Sequence, residues 1–571
     1  MVNMQWKLAS PAPEEFLRIH GDYPPQLLHL IWNRGLRDAR AIAEFFADPD
    51  FTRLPDPFLF TDMDTAVARL SRARERGEHV VVFGDYDADG ACGATILTEL
   101  LEALGVDVSS YLPDRFTEGY GLTAISVKEI LRRKTALVIT VDCGVSDGEE
   151  IAALTARGVD TIVLDHHIVP EQLPKAVAVV DAHRNDDRYP FDWLCGAGVA
   201  FVFADAVRRR PLGQGLSEHI LFRFADLAAV ATIADLVPLE GPNRILVALG
   251  LRVLRDAPRL GLRKLMKIAR VDAGRADTDT VAFELAPRIN AASRMDHANT
   301  AFALLAANDE EEAETLAKTL DRHNRARQKK MQEMLVQAEQ EVADLERVPE
   351  VILVAQEGWS RALVFGVAAR LTDRYHRPVF AFALQDGVAR GSARSVPGFD
   401  LVAAMRAAGG NELFQEFGGH AMAAGATLRA PWLPLLRERL QAYGRTHVTE
   451  TMMQPVLEID LELQPHEVSS ELLVWFERLA PFGKGNPRPR LFIRDLTTLE
   501  ARRFGRGEGR YALRFSPLHG GRVISATATK RVVGDGVGVR AGDRIDIVGE
   551  LRPDWKHRGV ELSLLGMRAA T

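Results

Sequence analysis

The chain of 571 residues has little cysteine and no long apolar run. Its three cysteines, Cys92, Cys143 and Cys195, are far apart and odd in number, which argues against a disulfide framework and a cysteine-type zinc site. No stretch approaches the roughly 18 uninterrupted apolar residues of a membrane span. The N-terminus lacks the basic-then-apolar plan of a signal peptide. We therefore expect a cytoplasmic protein.

An overall positive charge is also missing, since the formal net charge is −7. Global charge thus gives no sign of nucleic-acid binding, but the charges are unevenly placed. One basic stretch, in which Glu508 is the only acid, contains Arg502, Arg503, Arg506, Arg510, Arg514, Arg522, Lys530 and Arg531. A second contains Arg322, Arg325, Arg327, Lys329 and Lys330. Each stretch is either a solvated face or a track for nucleic acid.

Strand-like and helical runs alternate over residues 80–250, and the length of the chain indicates roughly three to four domains. The strand candidates Val80–Phe83, Leu137–Val141 and Thr161–Leu164 are short and rich in β-branched residues. Helical candidates such as Ala94–Leu104 and Gly148–Arg157 lie between them. This rhythm predicts a parallel sheet with helices on both faces. Ligands bind such sheets beyond the carboxyl ends of the strands.

The rest of the chain divides into three parts. Residues 309–345 contain neither Pro nor Gly, which predicts a connecting helix about 55 Å long. A second α/β region begins at Val351–Val354 and ends near Gly444. Residues 451–571 show alternating patterns typical of a small β-barrel, of which the oligonucleotide-binding (OB) fold is one instance: Val456–Leu463, Arg510–Phe515, Arg544–Leu551 and Val560–Leu565.

Acidic side chains follow the predicted strands of the first region. Three aspartates alternate after the first strand, one follows the second, Asp-His-His follows the third, and another acid interrupts an apolar helical run. A group of like charges is unstable unless a cation lies in it, and hard divalent cations take carboxylate ligands. Each element alone is weak evidence, but together they provide enough ligands for two divalent ions sharing a carboxylate: Asp85, Asp87, Asp89, Asp142, His166 and Asp235.

This set resembles the DHH phosphoesterase superfamily, named for motifs such as Asp165-His166-His167. Further motifs are similar to those of the RecJ family, the bacterial single-strand-specific 5′→3′ DNA exonucleases. They lie at 84–90, 115–121, 287–294, 391–395 and 418–425. The resemblance covers residues 50–571. It implies an N-terminal extension (1–50), a parallel-sheet DHH domain (51–308), a connecting helix (309–346), an α/β DHHA1 domain (347–450) and an OB-fold domain (451–571).

The resemblance also implies roles at the metal site, with Mn²⁺ or Mg²⁺ as the two cations. One metal would take Asp89, Asp142, His166 and Asp235; the other would take Asp87 and the bridging Asp142, with Asp85 bound directly or through water. His167 would contact the scissile phosphate or transfer a proton, and Asp165 would orient the histidines. Smaller members supply a histidine where this chain has Phe83, so the Asp87 metal lacks one protein ligand.

By the same resemblance, Arg115, Ser392 and Arg394 hold the 5′-phosphate of the substrate. Arg288, Asn290, Arg294 and His420 contact the scissile or adjacent phosphates of the DNA. The implied activity is a 5′→3′ exonuclease that releases 5′-mononucleotides from single-stranded DNA. The implied setting is recombination and mismatch repair, as a monomer beside a RecQ-type helicase and a single-strand-binding protein.

Two other classes of function remain open on the residues. A phosphoesterase for small substrates, such as an oligoribonuclease, a cyclic-dinucleotide hydrolase or a pyrophosphatase, shares the metal ligands but is usually much shorter. The basic C-terminal region favours a polymer, and its aromatic residues are either stacking surfaces for bases or core: Phe504, Tyr511, Phe515 and Trp555. A non-enzymatic scaffold is disfavoured because every acid and His166 are present.

Overall fold

A computed structural model describes residues 4–217, 219–256, 259–504, 509–518, 521–533, 539–554 and 559–570. Contacts divide the chain into two compact units. The parallel-sheet unit comprises Ala43–Arg327 and Leu479–Arg488. The barrel unit comprises Met1–Ile42, Gln328–Arg478 and Pro489–Thr571. Among the described residues, no helix is long and apolar enough to cross a membrane.

The parallel-sheet unit is built on a sheet in which every pairing is parallel. From one edge to the other, its strands are Val108–Tyr111, Val80–Gly84, Leu137–Val141, Asp160–Leu164 and Ala178–Val180. The three middle strands are the predicted ones. Their β-branched side chains are almost completely buried because helices cover both faces. The parallel register brings the carboxyl ends of these strands to one edge of the sheet.

Helices surround this sheet, and the first of them begins earlier than predicted. It spans Ala88–Ala103 rather than Ala94–Leu104, because Asp87 caps it. The segment 85–89, called the aspartate turn below, therefore runs directly into the first turn of the helix. The other long helices of the unit before residue 257 are Met63–Arg76, Ala124–Arg132, Gly148–Thr155, Gly196–Arg208, Ile220–Ala234 and Gly241–Asp256.

A segment with a π-helix follows the helix Leu260–Ala269. Thr278–Thr280 leads into the π-helix Val281–Leu285, and the short helices Ala286–Ile289, Ala291–Met295 and Asn299–Ala306 come next. Pro287 lies just after the π-helix and has no backbone N–H to donate to an earlier carbonyl. A local change of helical register is the usual response to such a break and is frequent near functional sites.

The predicted connecting helix spans Glu310–Ala343, within three residues of its predicted ends. The Asp309 side chain accepts hydrogen bonds from the backbone N–H groups of Glu311 and Glu312, which fixes its start. Residues 310–327 belong to the parallel-sheet unit and the rest to the barrel unit.

The barrel unit contains a mixed sheet in its α/β part. Its strands, in spatial order, are Phe414–Gly419, Ala423–Arg429, Val388–Arg394, Val379–Gln385 and Ile352–Glu357. The helices Val364–Tyr375, Leu401–Ala407 and Leu433–His447 pack on it. This part starts and ends within a few residues of the α/β region expected from the sequence.

The closed barrel predicted for the C-terminal region is present. Its strands run in the order Arg490–Phe504, Arg510–Pro517, Ile524–Thr529, Val560–Ala569 and Arg544–Pro553, and the last pairs with the first. The alternating sequence pattern did not predict the long first strand or the strand Ile524–Thr529. Register shifts between Ile493 and Leu496 and between Thr498 and Glu500 bend the first strand. These bulges let it pair with both neighbours and interrupt the alternation of its side chains.

The N-terminal residues, in which the sequence shows no motif, pack on the barrel region. The strand Gln5–Leu8 pairs in parallel with Val456–Ile459. The Trp6 ring packs edge-on against Phe492 with ring centroids 5.5 Å apart. The helices Glu14–Ile19, Pro25–Asn33 and Ala39–Phe46 follow.

Candidate metal centre

The aspartate turn places three carboxylates around the start of the helix Ala88–Ala103. The Asp87 side chain accepts hydrogen bonds from the N–H groups of Asp89 (2.8 Å) and Gly90 (3.2 Å). A side chain at position 90 is excluded, because a Cβ there would lie 2.4 Å from the carbonyl oxygen of Asp85. The glycine therefore allows the helix to start directly against the end of the strand.

Asp89 is held by the start of a second helix. Its two carboxylate oxygens accept hydrogen bonds from the N–H groups of Gly196 (2.7 Å) and Ala197 (2.8 Å). These donors begin the helix Gly196–Arg208, where the helix dipole favours a negative charge. A Cβ at Gly196 would lie 2.5 Å from Cβ of Asp142, so glycine is needed for this approach.

Asp142 follows the second predicted strand and has an unusual backbone conformation. Its φ of 62° lies in the left-handed region, and Leu236, directly after Asp235, has a φ of 58°. Non-glycine residues in this region carry strain, which is often found at functional sites. Asp142 is itself a candidate ligand and Leu236 directly follows another, so both positions lie at the candidate site.

His166 connects the carboxylates. Its Nε2 lies 3.0 Å from Oδ1 of Asp142 and 3.7 Å from Oδ2 of Asp89, and its Nδ1 lies 4.0 Å from Oδ2 of Asp235. Burial lowers the pKa of His166, and a neutral imidazole is the form that binds metals. The four residues predicted for the first metal therefore converge.

Three sets of side chains in the described residues offer ligand atoms within 4.8 Å of one another. One set joins Asp142 to Asp165, His166 and His167, and two others consist of predicted metal ligands alone. The first of these two contains Asp89, His166 and Asp235. The second contains Asp85, Asp87 and Asp142. Oδ1 of Asp85 is buried and accepts no hydrogen bond from any described residue, which is costly unless a cation compensates it. The donor set, mostly oxygens with one imidazole, suits Mn²⁺ or Mg²⁺.

The electrostatics of the cluster indicate a cation as well. Burial, together with neighbouring carboxylates, raises the pKa values of Asp85 and Asp142 well above the usual range. Burial and the charges of Asp89 and Asp87 raise the pKa of Asp235 to about 8. These shifts describe carboxylates that resist being charged together in the absence of a positive partner.

Asp165 and His167 form a pair beside the cluster. Asp165 Oδ1 accepts from the N–H of His166 (2.8 Å) and lies 2.8 Å from Nδ1 of His167. This contact lowers the pKa of Asp165 and raises that of His167 to about 9, although burial opposes both shifts. The ring of His167 is 44% exposed. The ring therefore reaches solvent, while Asp165 lies behind it.

Tyr120, which the sequence reasoning did not single out, also belongs to this arrangement. Its hydroxyl lies 3.1 Å from the carbonyl oxygen of Asp142, to which it can donate, and 3.1 Å from Nδ1 of His167. The glycine on each side of it in the 115–121 motif marks a constrained turn, the one signal that pointed to it. Gly121 has a φ of 72°, and a Cβ there would lie 2.6 Å from Asp147 Oδ2.

The predicted phosphate-binding residues of the parallel-sheet unit fall into two groups. The Arg115 guanidinium stacks over the Tyr86 ring at 4.7 Å. Burial, followed by the charges of Arg115 and Arg327, lowers the pKa of Arg294 to about 10. These arginines concentrate positive charge beside the aspartate turn. Arg288 instead binds Glu284 (2.8 Å) and Asp321 (3.1 Å).

Asn290 is likewise engaged within the protein, since its Oδ1 accepts a hydrogen bond of 2.8 Å from the N–H of Ala88. The predicted roles of Arg288 and Asn290 in DNA binding stay predictions, and their partners in the structure are protein groups.

Ser392, Arg394 and His420 lie in the mixed sheet of the barrel unit. Arg394 donates to the Ser392 hydroxyl at 3.1 Å, since both side chains are on the same face of one strand. His420 is exposed in the turn that follows Gly419, whose φ is 133°. Ser392 and Arg394 pair across the sheet with Gly425 and Ala423, after that turn.

The basic stretch of the barrel and the aromatic residues within it include both surface and core positions. Arg514 lies 3.8 Å from Glu500, and Arg531 donates to the carbonyl of Asp373 at 2.7 Å. Phe515 is fully buried and therefore core, whereas Phe504 is 41% exposed. Arg506, Glu508 and Trp555 lie outside the described residues.

Comparison with protein-family models gives three matches in the order of the domains. The DHH family, N-terminal domain, matches residues 79–232. The DHHA1 domain matches residues 349–445, and the RecJ OB domain matches residues 459–563.

Individual proteins give the same picture over nearly the whole chain. The single-stranded-DNA-specific exonuclease RecJ of Bacillus subtilis is 35% identical over 562 residues, which span 97% of this chain and 69% of that protein. The crystal structure of RecJ from Thermus thermophilus in complex with Mn²⁺ has a TM-score of 0.83 at 29% identity, covering 100% of this chain and 80% of that one. The Mg²⁺ complex of the same protein has a TM-score of 0.77 at 28% identity, covering 100% and 79%.

Proposed function

Because the chain belongs to the RecJ family of single-stranded-DNA-specific exonucleases, we propose that it degrades single-stranded DNA from the 5′ end and releases 5′-mononucleotides. It is a metal-dependent nuclease of the hydrolase class. The observation that supports this proposal most strongly is the convergence of five aspartates and His166 at one edge of the parallel sheet.

We assign two divalent cations to this edge, Mn²⁺ or Mg²⁺. Asp89, His166 and Asp235 would hold one, Asp87 and Asp85 the other, and Asp142 would take part in both. When bound, such cations supply a lowered pKa for the attacking water and offset charge on the phosphodiester. The protein contributes the fixed positions of its ligands, since Asp87 and Asp89 are held by backbone N–H groups.

His167 and Asp165 act together on the substrate in this proposal. Asp165 fixes the ring through Nδ1, and Nε2, which lies 3.4 Å from the Tyr120 hydroxyl, is proposed to face the phosphodiester. The contact with Asp165 raises the pKa of His167 to about 9 and so favours the protonated ring. It can donate a hydrogen bond to a non-bridging oxygen, or the proton itself to the departing 3′-oxygen.

In this proposal, basic residues recognise the 5′ end of the DNA strand. Arg115 in the parallel-sheet unit, and Ser392 with Arg394 in the barrel unit, are proposed to bind the 5′-phosphate, because guanidinium groups fit the oxygens of a terminal phosphate. Arg294 and His420 are proposed to contact backbone phosphates, and the basic face of the barrel to hold the single strand.

The experiment uses one single-stranded oligonucleotide labelled at either end, with Mn²⁺. The proposal predicts that a 5′ label is released at once as a mononucleotide, while a 3′ label stays on progressively shorter strands. Release of the 3′ label first would refute the polarity. Hydrolysis of cyclic dinucleotides without hydrolysis of DNA would favour the small-substrate alternative.

The wider setting is proposed from the family alone. A monomeric exonuclease of this kind would act in recombination and mismatch repair in the cytoplasm, on strands opened by a RecQ-type helicase and covered by a single-strand-binding protein. Stimulation of strand degradation by such a helicase on a duplex that the enzyme alone leaves intact would support this setting. Equal degradation with and without the helicase would contradict it.

A further inference from the structure

The helix that carries two of the candidate ligands has an unusual N-terminus. The first N–H groups of a helix have no acceptor within the helix and must find one elsewhere. In the helix Ala88–Ala103, the N–H groups of Asp89 and Gly90 are taken by Oδ1 of Asp87. The N–H group of Ala88 donates to Oδ1 of Asn290, which lies 202 residues further along the chain.

This hydrogen bond has one possible direction. A backbone N–H only donates, so the atom of Asn290 that faces Ala88 must be the amide oxygen rather than the nitrogen. Ala88 is 1% exposed. Without Asn290, its N–H would be buried without an acceptor, or would compete for the carboxylate of Asp87.

The position of Asn290 is fixed by its own segment. Leu285 and Ile289 are buried in the core of the unit. Arg288 is tied to Asp321 on the helix Glu310–Ala343 and to Glu284 on the π-helix. The short helix Ala286–Ile289 ends at Asn290, whose N–H is bonded to the carbonyl of Ala286. Asn290 is therefore presented to Ala88 from a rigid support.

The consequence concerns Asp87 and Asp89. Because Asn290 accepts the hydrogen bond of the Ala88 N–H, Oδ1 of Asp87 accepts only from the N–H groups of Asp89 and Gly90. Oδ2 of Asp87 therefore remains available to a cation. The same bond fixes the first turn of the helix and with it the position of Asp89. Groups that orient metal ligands in this way typically change metal affinity by about 10- to 100-fold when removed.

We propose that Asn290 is a positioning residue for the divalent cations: it holds the start of the helix that carries Asp87 and Asp89, and so sets the affinity of the site for metal. This inference rests on the proposed metal-dependent function. It replaces a direct contact between Asn290 and a DNA phosphate as the main role of this side chain.

Two substitutions separate these roles. Asn290→Asp keeps an acceptor oxygen for Ala88 but loses the amide N–H groups and adds a negative charge. Asn290→Leu keeps the approximate size and loses the acceptor. A positioning role predicts that the leucine variant is the damaged one, whereas a phosphate contact predicts that the aspartate variant is worse, because it would repel the DNA.

The readout is Mn²⁺ binding to the full chain without DNA, followed by the electron paramagnetic resonance signal of free Mn²⁺. We expect Asn290→Leu to raise the dissociation constant about 10-fold or more. We expect Asn290→Asp not to show this loss of Mn²⁺ affinity, because it keeps the acceptor oxygen for Ala88 and adds negative charge beside the cations. The exposed Asn299, which begins the helix Asn299–Ala306 and is changed in the same two ways, is the matched control.

Equal Mn²⁺ affinity in all variants, or equal loss in Asn290→Leu and Asn290→Asp, would overturn the proposal. If Asn290→Leu does not fold, as judged by thermal unfolding, Asn290→Ala removes the same oxygen and takes its place. KM for single-stranded DNA provides the second readout: a rise confined to Asn290→Asp, with unchanged Mn²⁺ affinity, would restore the phosphate contact. Failure of the unsubstituted chain to bind Mn²⁺ would instead refute the proposed function.

Discussion

Asp85 is the member of the aspartate turn whose replacement is most informative. It is almost completely buried, and its Oδ1 has no hydrogen-bond partner among the described residues. Asp87 and Asp89, by contrast, accept backbone hydrogen bonds. We predict that Asp85→Asn stabilises the chain when metal is absent and weakens its response to metal.

The magnitude follows from the distances. Asp85, Asp87 and Asp142 offer oxygens within 4.8 Å of one another. Two full charges at that separation repel by about 3 kcal/mol when the effective dielectric constant is about 20. Asp85 takes part in two such pairs, but the raised pKa values allow the cluster to take up protons and reduce the repulsion. We therefore expect a gain of about 1–3 kcal/mol in the free energy of unfolding without metal.

The assay is thermal unfolding with EDTA and with saturating Mn²⁺. A gain of this size corresponds to a rise in Tm with EDTA of about 2–5 °C if the parallel-sheet unit unfolds by itself, and of about half that if the whole chain unfolds together. The upward shift produced by Mn²⁺ should be smaller in Asp85→Asn than in the unsubstituted chain, because a lost ligand weakens binding and hence the stabilisation that binding gives. Glu102→Gln, exposed near the end of the helix Ala88–Ala103, is the control. A lower Tm with EDTA would refute the repulsion argument, and an unchanged Mn²⁺ shift would remove Asp85 from the ligands.

Two further predictions concern positions near the site. Burial raises the pKa of Asp181 to about 7. The folded chain therefore binds this proton more tightly than the unfolded chain, and stability falls as the pH rises from about 4 to about 7. Asp181→Asn should flatten this dependence of Tm on pH, and an unchanged slope would exclude the carboxyl as its source. Gly196→Ala should reduce hydrolysis at least about 10-fold, because the added Cβ would lie 2.5 Å from Cβ of Asp142. Gly148→Ala, where a Cβ meets nothing within 4 Å, should leave hydrolysis unchanged; equal rates for both variants would show that the close approach is unimportant.

The sequence was sufficient for the parts of the fold that have a regular pattern. The buried parallel strands are continuous β-branched runs, and the long helix lacks any residue that would break it, so both could be predicted nearly to their ends. The strand Arg490–Phe504 could not, because two bulges interrupt its alternation. The first turn of the helix Ala88–Ala103 was missed because its aspartates and glycine are also typical of a loop.

The proximity of the candidate ligands could be predicted because acids at the ends of parallel strands must meet at one edge. The groups that hold those ligands in place could not be predicted. The N–H groups of Gly196 and Ala197 that hold Asp89 are backbone atoms, which no side-chain pattern reveals. The hydroxyl of Tyr120 and the amide of Asn290 reach their partners through the tertiary fold, over separations of 22 and 202 residues.

The central claim is that two cations lie between the two sets of ligands and share Asp142. Anomalous diffraction at the manganese edge, from crystals of the chain grown with Mn²⁺, tests it most directly. Two peaks are expected, one in ligand contact with Asp89, His166 and Asp235 and one with Asp87, both in contact with Asp142. A single peak, or two peaks of which neither contacts Asp142, would contradict it.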